Sequence, residues 1–92
     1  MIKIFEVDDK EKILNNESAK MKGFKFESSG NLKVEGVKGY VFWFNAEEDF
    51  YKDMLFKDKG IKEITGKKKE EVLSAFDRIE EEKMAGVGNL FD

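Results

Sequence analysis

The chain has 92 residues, 40% of them charged, and a formal net charge of −3, with no cysteine, histidine or proline. A chain of this length forms one domain and buries only about 60 to 65% of the surface that its unfolded form exposes, so a partner or a second copy would add stability. The composition excludes disulfides, thiolate metal sites and imidazole chemistry, disfavours general phosphate binding, and lacks the run of roughly 18 to 20 apolar residues that spans a bilayer, so we expect a soluble, cytoplasmic protein.

The first elements predicted are a strand and a helix. Residues 1–7 alternate between apolar and polar positions, as a half-buried strand does. The side chain of Asp8 or Asp9 can then cap a helix over residues 10–22, in which charged positions surround one apolar stripe. Gly23 is expected to end this helix, because glycine adopts the left-handed conformation without steric cost.

A β-hairpin is predicted next. Residues 24–27 and residues 32–35 both alternate, and the Ser-Ser-Gly-Asn sequence at residues 28–31 between them is typical of a turn. Glycines at positions 36 and 39 then interrupt the pattern, which indicates a bulge or a tight turn. The pattern leaves open whether residues 32–44 form one bent strand or two.

An aromatic strand follows, with five consecutive aromatic or β-branched residues from Tyr40 to Phe44. Alternation places Tyr40, Phe42 and Phe44 on one face of the sheet and Val41 and Trp43 on the other. We expect Val41 and Trp43 to face the core beneath the two connecting helices. The opposite face then needs a cover, which we expect to be the C-terminal helix or a second subunit.

The second half of the chain predicts a helix, a short strand and a longer helix. Asn45 and Glu48 have the spacing of a capping box, which begins a helix that ends before Gly60. Residues 61–64 fit a short edge strand. Residues 67–84 form the longest predicted helix, because their apolar side chains recur at helical spacing.

The order of these elements is βαββαβ with an additional C-terminal helix, which predicts a ferredoxin-like antiparallel sheet of the α+β class. We expect residues 1–84 to form this domain and residues 85–92 to form a short tail. The tail carries Val87, Leu90 and Phe91, which can dock on the domain itself, on a second copy or on another protein.

Catalysis is not expected from this sequence. Its serines lie outside any nucleophile-elbow context, and its carboxylate runs have the pattern of solvated helix surfaces. Without histidine or cysteine, a metal site would need hard oxygen ligands at a spacing that the chain does not have. We therefore expect no catalytic residue, no metal and no cofactor.

An anion-binding site is a candidate at the start of the last helix, where free N–H groups and ammonium groups occur together. It comprises Thr65, Gly66, Lys67 and Lys68. The alternative is that these lysines pair with the nearby Glu70 and Glu71 or are simply solvated.

The segment Lys38 to Phe42 resembles the octamer of the RNA recognition motif family, in which a basic residue and a glycine precede alternating aromatic residues. In that family the octamer lies on the third strand of a βαββαβ fold, and its rings stack on bases. The resemblance implies binding of single-stranded RNA through Phe5, Tyr40 and Phe42, with help from Lys38. Trp43 and Asn45 depart from the family pattern.

Two functions are therefore predicted. The first is a small non-catalytic binding or regulatory module that contacts a second copy, as a homodimer, or a protein partner through an aromatic sheet face. That face comprises Phe5, Lys38, Tyr40, Phe42 and Phe44. The alternative function is binding of single-stranded RNA at the same face. The abundant lysine and glutamate also match hyperthermophile proteins, although codon bias would give the same counts.

Overall fold

Within residues 1–91, the part of the chain whose backbone the structure describes, four strands form one antiparallel sheet. The strands are β1 (Ile2–Val7), β2 (Lys25–Ser28), β3 (Tyr40–Asn45) and β4 (Ile61–Ile64). Their order is β2-β3-β1-β4, so β3 and β1 are the inner strands and β2 and β4 are the edges. This structure is a computed structural model, and it describes side chains for residues 1–82. The predicted α+β class is confirmed.

The described backbone also contains four α-helices and two 3-10 helices. They are α1 (Glu11–Leu14), α2 (Glu17–Lys22), α3 (Ser29–Leu32), the 3-10 helices Glu48–Lys52 and Met54–Lys57, and α4 (Gly66–Phe91). The helix α4 is the predicted C-terminal helix, and its backbone continues past the expected end at Met84. None of the described helices has the length and apolar character needed to cross a membrane.

The predicted hairpin is wrong. The strand β2 does not pair with residues 32–35 but with β3, from Lys25 opposite Trp43 to Ser28 opposite Tyr40. The polar turn sequence instead starts α3, where the Ser28 hydroxyl caps the helix by accepting from the Asn31 N–H at 3.3 Å. A serine that accepts a backbone N–H favours a helical turn, so the chain leaves the sheet at this point and returns only at Tyr40.

The helix predicted over residues 10–22 is divided into α1 and α2. Asn16 takes an extended backbone between them, and its side chain accepts a hydrogen bond from the Ala19 N–H at 3.0 Å. Asparagine stabilises a helix start better than a helix interior, because its amide competes for backbone groups. Gly23 ends α2 at a φ of 83°, as predicted.

The helix predicted after Asn45 is replaced by the two 3-10 helices. Asn45 is the last residue of β3, paired with Ile2, and its side-chain oxygen accepts from the Met1 ammonium group at 3.3 Å. The residue before the first 3-10 helix, Glu47, makes no capping bond through its side chain. The capping pattern therefore marked the end of a strand, and the aromatic residues that follow it pack in short turns.

The two faces of the sheet have different cores, which we call the aliphatic face and the aromatic face. Strand residues Ile4 and Val41 lie on the aliphatic face, under α4 and α3. Strand residues Phe5, Phe42 and Phe44 lie on the aromatic face, under α1, α2 and the 3-10 helices. The expected assignment of faces is thus reversed, because the β1–β2 and β3–β4 connections pack on the aromatic face, while α4 covers Val41 and Trp43.

Gly39 fixes the point where the chain enters β3. Its φ is +70°, and a Cβ there would lie 2.5 Å from the carbonyl oxygen of Val7. Only glycine fits this close approach without displacing β1. Of the bulge or tight turn predicted in this segment, the structure has a turn at Glu35 and Gly36, across which the Val37 N–H donates to the Val34 carbonyl at 3.4 Å.

Candidate binding surface

The structure buries most of the predicted aromatic sheet face inside the chain. Phe42 and Phe44 are fully buried and Phe5 is only 5% exposed. The rings of Phe50 and Phe56 lie 5.4 and 5.7 Å from the ring of Phe44 and cover it from the 3-10 helices. Phe5, Phe42 and Phe44 therefore form core, and an external ligand has no access to them in this conformation.

Coverage of the aromatic face stops short of its β2 side. Phe26, on β2, leaves 39% of its surface exposed and stacks on Phe42, with ring centroids 5.0 Å apart and planes 9° apart. Phe24 and Tyr40 lie on either side, with centroids 6.1 and 6.5 Å from that of Phe26. We call Phe24, Phe26 and Tyr40 the β2-edge patch.

The β2-edge patch packs on a buried aromatic ring and has a lysine at its border. Phe24 also packs edge-on against Phe42 at 5.3 Å, so the buried ring supports two of the three patch residues. The ammonium group of Lys10 lies 5.3 Å from the Tyr40 ring centroid, within range of a cation–π contact. A buried aromatic support holds the outer rings in place, which favours a preformed contact surface.

Lys38 lies at the end of the sheet where β1 ends and β3 and β4 begin. Its backbone N–H donates to the Glu6 carboxylate at 3.3 Å. Lys38, Lys59 and Lys62 line an open cleft of about 400 Å³ together with Glu6 and Asp8. Three basic and two acidic side chains line it, so the cleft has no consistent charge with which to select an anion or a cation.

Lys12 links three segments at the same end of the molecule. Its ammonium group lies 2.9 Å from the Asp58 carboxylate and 3.0 Å from that of Asp8. The hydrogen bond to Asp58 raises the pKa of Lys12. The Lys12 side chain, with the Gly60 N–H as a second donor, lowers the pKa of Asp58. All three side chains act as ties between α1 and the loop before β4.

The predicted anion site at the start of α4 does not converge on one point. Thr65, Gly66 and Lys67 are exposed, but the Lys68 ammonium donates to the Glu35 carbonyl at 2.5 Å and pairs with Glu71 at 3.3 Å. The neighbouring lysine at position 69 donates to the Ile2 carbonyl at 2.8 Å. These cations attach the helix to the rest of the fold, in agreement with the pairing alternative for Lys68.

Two further predictions concern the C-terminal tail and a metal site. The side chains of Val87, Leu90 and Phe91, proposed as a tail contact, lie outside the described residues. Among the described residues, no group of three or more acidic side chains is placed to hold a metal ion.

Sequence reasoning missed Phe24 and Phe26 as surface residues. Their alternation with Lys25 indicated a strand, and it did not reveal that this strand lies at the edge of the sheet. An available signal was that Phe26 has charged neighbours on both sides, Lys25 and Glu27, which suits an edge more than a buried centre.

The fold and this surface define a small antiparallel α+β domain with one aromatic patch at a sheet edge. Comparison with protein-family models, with curated proteins and with solved structures gives no match to this chain. Function must therefore be inferred from the geometry.

Proposed function

We propose that this protein is a non-catalytic binding module that contacts another protein surface through the β2-edge patch. The observation that carries this proposal is Phe26, a large ring that is 39% exposed yet stacked at 5.0 Å on the buried Phe42. Aromatic side chains held rigidly beside a core make effective anchors at protein interfaces, because little side-chain entropy is lost on binding.

The same proposal includes a ferredoxin-like fold. Two features support it: the strand order β2-β3-β1-β4 and the antiparallel pairing of every neighbouring pair in that order. A sheet of this type with helices on one face leaves the other face open. Here α4 packs on that other face, so access to the sheet is directed to its edges.

Protein binding is better supported than the alternative of RNA stacking. Two of the three rings proposed to stack on bases, Phe5 and Phe42, belong to the buried core. Tyr40 is partly exposed, and its nearby cation is Lys10. A formal net charge of −3 also gives little of the phosphate neutralisation on which RNA affinity depends.

The chemical character of the described side chains supports a role without catalysis. Lys12 and Asp58, whose pKa values are displaced, are bonded to each other at an exposed contact between α1 and the loop before β4, where the displacement has a structural cause. A cytoplasmic setting and a thermophilic source stay predictions, based on the cysteine-free, lysine-rich and glutamate-rich composition.

A photoreactive phenylalanine analogue in place of Phe26 tests the proposed surface. In cells that produce the full chain, we expect irradiation to give a protein adduct of defined mass from position 26. The matched control places the same analogue at Met54, which is 80% exposed on a 3-10 helix. Equal adducts from both positions, or none from position 26, would contradict the proposal.

A titration with a pool of single-stranded RNA tests the alternative. The readout is the anisotropy of a fluorescent label on the RNA, because Trp43 lies on the aliphatic face, opposite Tyr40 and Phe42, and does not face the proposed site. We expect no saturable change in anisotropy. A saturable change that weakens with added salt would replace protein binding by RNA binding.

A further inference from the structure

We propose that the β2-edge patch binds a second copy of this chain, and that the two β2 strands pair antiparallel about a two-fold axis at Phe26. This inference rests on the proposed function and names its partner. It follows from three observations on β2: the direction of its backbone groups, the order of its side chains and its contrast with the other edge strand.

The backbone of Phe26 is directed away from its own sheet. Among the described strands, β2 pairs only with β3, and the Ser29 N–H donates to the Gly39 carbonyl at 2.9 Å. Hydrogen-bonded and non-hydrogen-bonded pairs alternate along an antiparallel ladder. Lys25 and Glu27 therefore direct their backbone groups to β3, while the N–H and C=O of Phe26 point outward from the edge.

A two-fold axis at Phe26 satisfies these outward groups. In an antiparallel pair, two residues that face each other exchange both N–H···O bonds when their backbone groups point toward the partner. Phe26 of each copy would thus bond to Phe26 of the other. The contact is isologous, so it closes as a dimer and leaves no second β2 edge open to further chains.

The side chains of β2 are self-complementary in this register. Within its own chain Lys25 bonds to Glu80 and lies over the Trp43 ring, and Glu27 accepts a hydrogen bond from the Asn31 amide at 3.0 Å. In the proposed pair Lys25 of one copy lies opposite Glu27 of the other, which adds one ion pair on each side of the axis, and the two Phe26 rings lie side by side. Opposite charges and aromatic pairs across neighbouring strands are each stabilising. A register shifted by one residue would place Phe26 opposite Glu27 and would lose all three contacts.

The other edge strand, β4, has the opposite character. Its Gly60 carbonyl accepts from the Asp8 N–H at 3.0 Å, so by the same alternation Glu63 directs its backbone groups outward. Pairing about an axis at Glu63 would place two like charges face to face, which is destabilising. The two edges therefore differ at these outward residues: self-pairing about Glu63 of β4 brings like charges together, whereas self-pairing about Phe26 of β2 brings two rings together.

A charge exchange across the proposed axis tests the register. In sedimentation experiments on the full chain, we expect the unmodified protein to be a dimer and Glu27→Lys to weaken the dimer at least about tenfold, because two lysines then face each other twice. The single change Lys25→Glu should act in the same direction. The double variant Lys25→Glu/Glu27→Lys restores opposite charges and should recover the dimer, while Glu63→Lys on β4 should leave it unchanged.

A cysteine introduced at the axis gives an independent measurement. Facing residues in a hydrogen-bonded antiparallel pair have Cα atoms about 5.5 Å apart, which is within the range of a disulfide. The natural chain has no cysteine, so Phe26→Cys carries a single thiol. Under mild oxidation by glutathione disulfide we expect it to form a covalent dimer much faster than the exposed control Met54→Cys.

The outcomes separate this inference from the proposed function. A monomer at every concentration, or a dimer that Glu27→Lys does not weaken, overturns the β2 pairing. Equal disulfide rates at positions 26 and 54 overturn it as well. If the photoadduct from position 26 then contains a different protein, the patch is a binding surface for that protein and only the self-pairing is wrong.

Discussion

The aliphatic and aromatic faces of the sheet bury similar apolar strands under very different covers. On the aliphatic face one continuous helix, α4, places Val72, Ala75 and Phe76 along a single stripe. On the aromatic face the cover consists of α1, α2 and two 3-10 helices of only five and four residues. A long helix covers a sheet with a regular stripe of apolar side chains, which recur at helical spacing. Short segments have no such stripe and cover the sheet with large aromatic rings.

This difference explains where the exposed patch lies. The 3-10 helices place Phe50, Tyr51 and Phe56 around Phe5 and Phe44, beside the inner strands. They do not extend to Phe26 on the β2 side, which stays 39% exposed. The less regular cover thus leaves the surface at which we propose that a second copy binds.

The largest expected effect is the loss of a central ring on the aromatic face. Phe44 is fully buried, and four other rings have centroids between 5.4 and 6.1 Å from its own. We expect Phe44→Ala to lower the free energy of unfolding by about 3 to 5 kcal/mol, measured by denaturant titration. A loss below about 1 kcal/mol would show that the short segments do not pack as a core.

A smaller loss is expected from the matched truncation on the aliphatic face. Val72 is fully buried in α4, and Val72→Ala removes two methyl groups without changing the helix backbone. We expect a decrease of about 1 to 3 kcal/mol in the free energy of unfolding, because alanine favours helix and the removed volume is small. A loss larger than that of Phe44→Ala would reverse the comparison of the two faces.

The hydroxyl of Tyr51 joins the aromatic cover to the sheet. Its removal should lower the free energy of unfolding by less than either core truncation. It donates to the Met1 carbonyl at 2.7 Å and lies 3.2 Å from the Phe44 carbonyl. We expect Tyr51→Phe to lower the free energy of unfolding by about 1 kcal/mol near neutral pH.

The same hydroxyl gives the fold an alkaline pH dependence. Burial raises the pKa of Tyr51 above its ordinary value of about 10, so the folded state favours the neutral phenol. Its contribution is complete below that ordinary value and is lost as the pH rises through the raised value. Thermal unfolding between neutral and alkaline pH should show this loss, and Tyr51→Phe should reduce it. An unchanged alkaline slope in the variant would contradict the assignment.

The smallest effect is expected at the tie between α1 and the loop before β4. The hydrogen bond from Lys12 lowers the pKa of Asp58, so the contribution of Asp58 is present above the ordinary aspartate pKa and disappears as the pH falls through the lowered value. Asp58→Asn should therefore destabilise the protein less than Tyr51→Phe at neutral pH. In acid, where Asp58 is protonated in both states, the variant and the parent should have the same stability.

Local signals predicted several elements correctly. Gly23 ends the first helical region, residues 61–64 form an edge strand, and a long helix begins after Thr65. In each case the decisive property is local, namely the left-handed conformation of a glycine or the periodicity of a short run. The α+β class followed from the number and order of such elements.

The incorrect predictions share a different cause. The Ser28 hydroxyl and the Asn45 side chain suit more than one kind of boundary, since each bonds to any N–H group that the fold brings near. Ser28 caps α3 in place of a hairpin turn, and Asn45 binds the chain terminus in place of a helix N–H. Which partner wins depends on distant residues, so periodicity cannot decide it.

By itself, the sequence determined the α+β fold class, the position of the aromatic strand and the alternation of Phe42 and Phe44 with Val41 and Trp43. Only the tertiary structure decided which helices cover each face, that Phe42 is core and that Phe26 lies at an exposed edge. The physical reason is that alternation assigns side chains to faces, while burial depends on the strand order and on the packing of segments far apart in the chain.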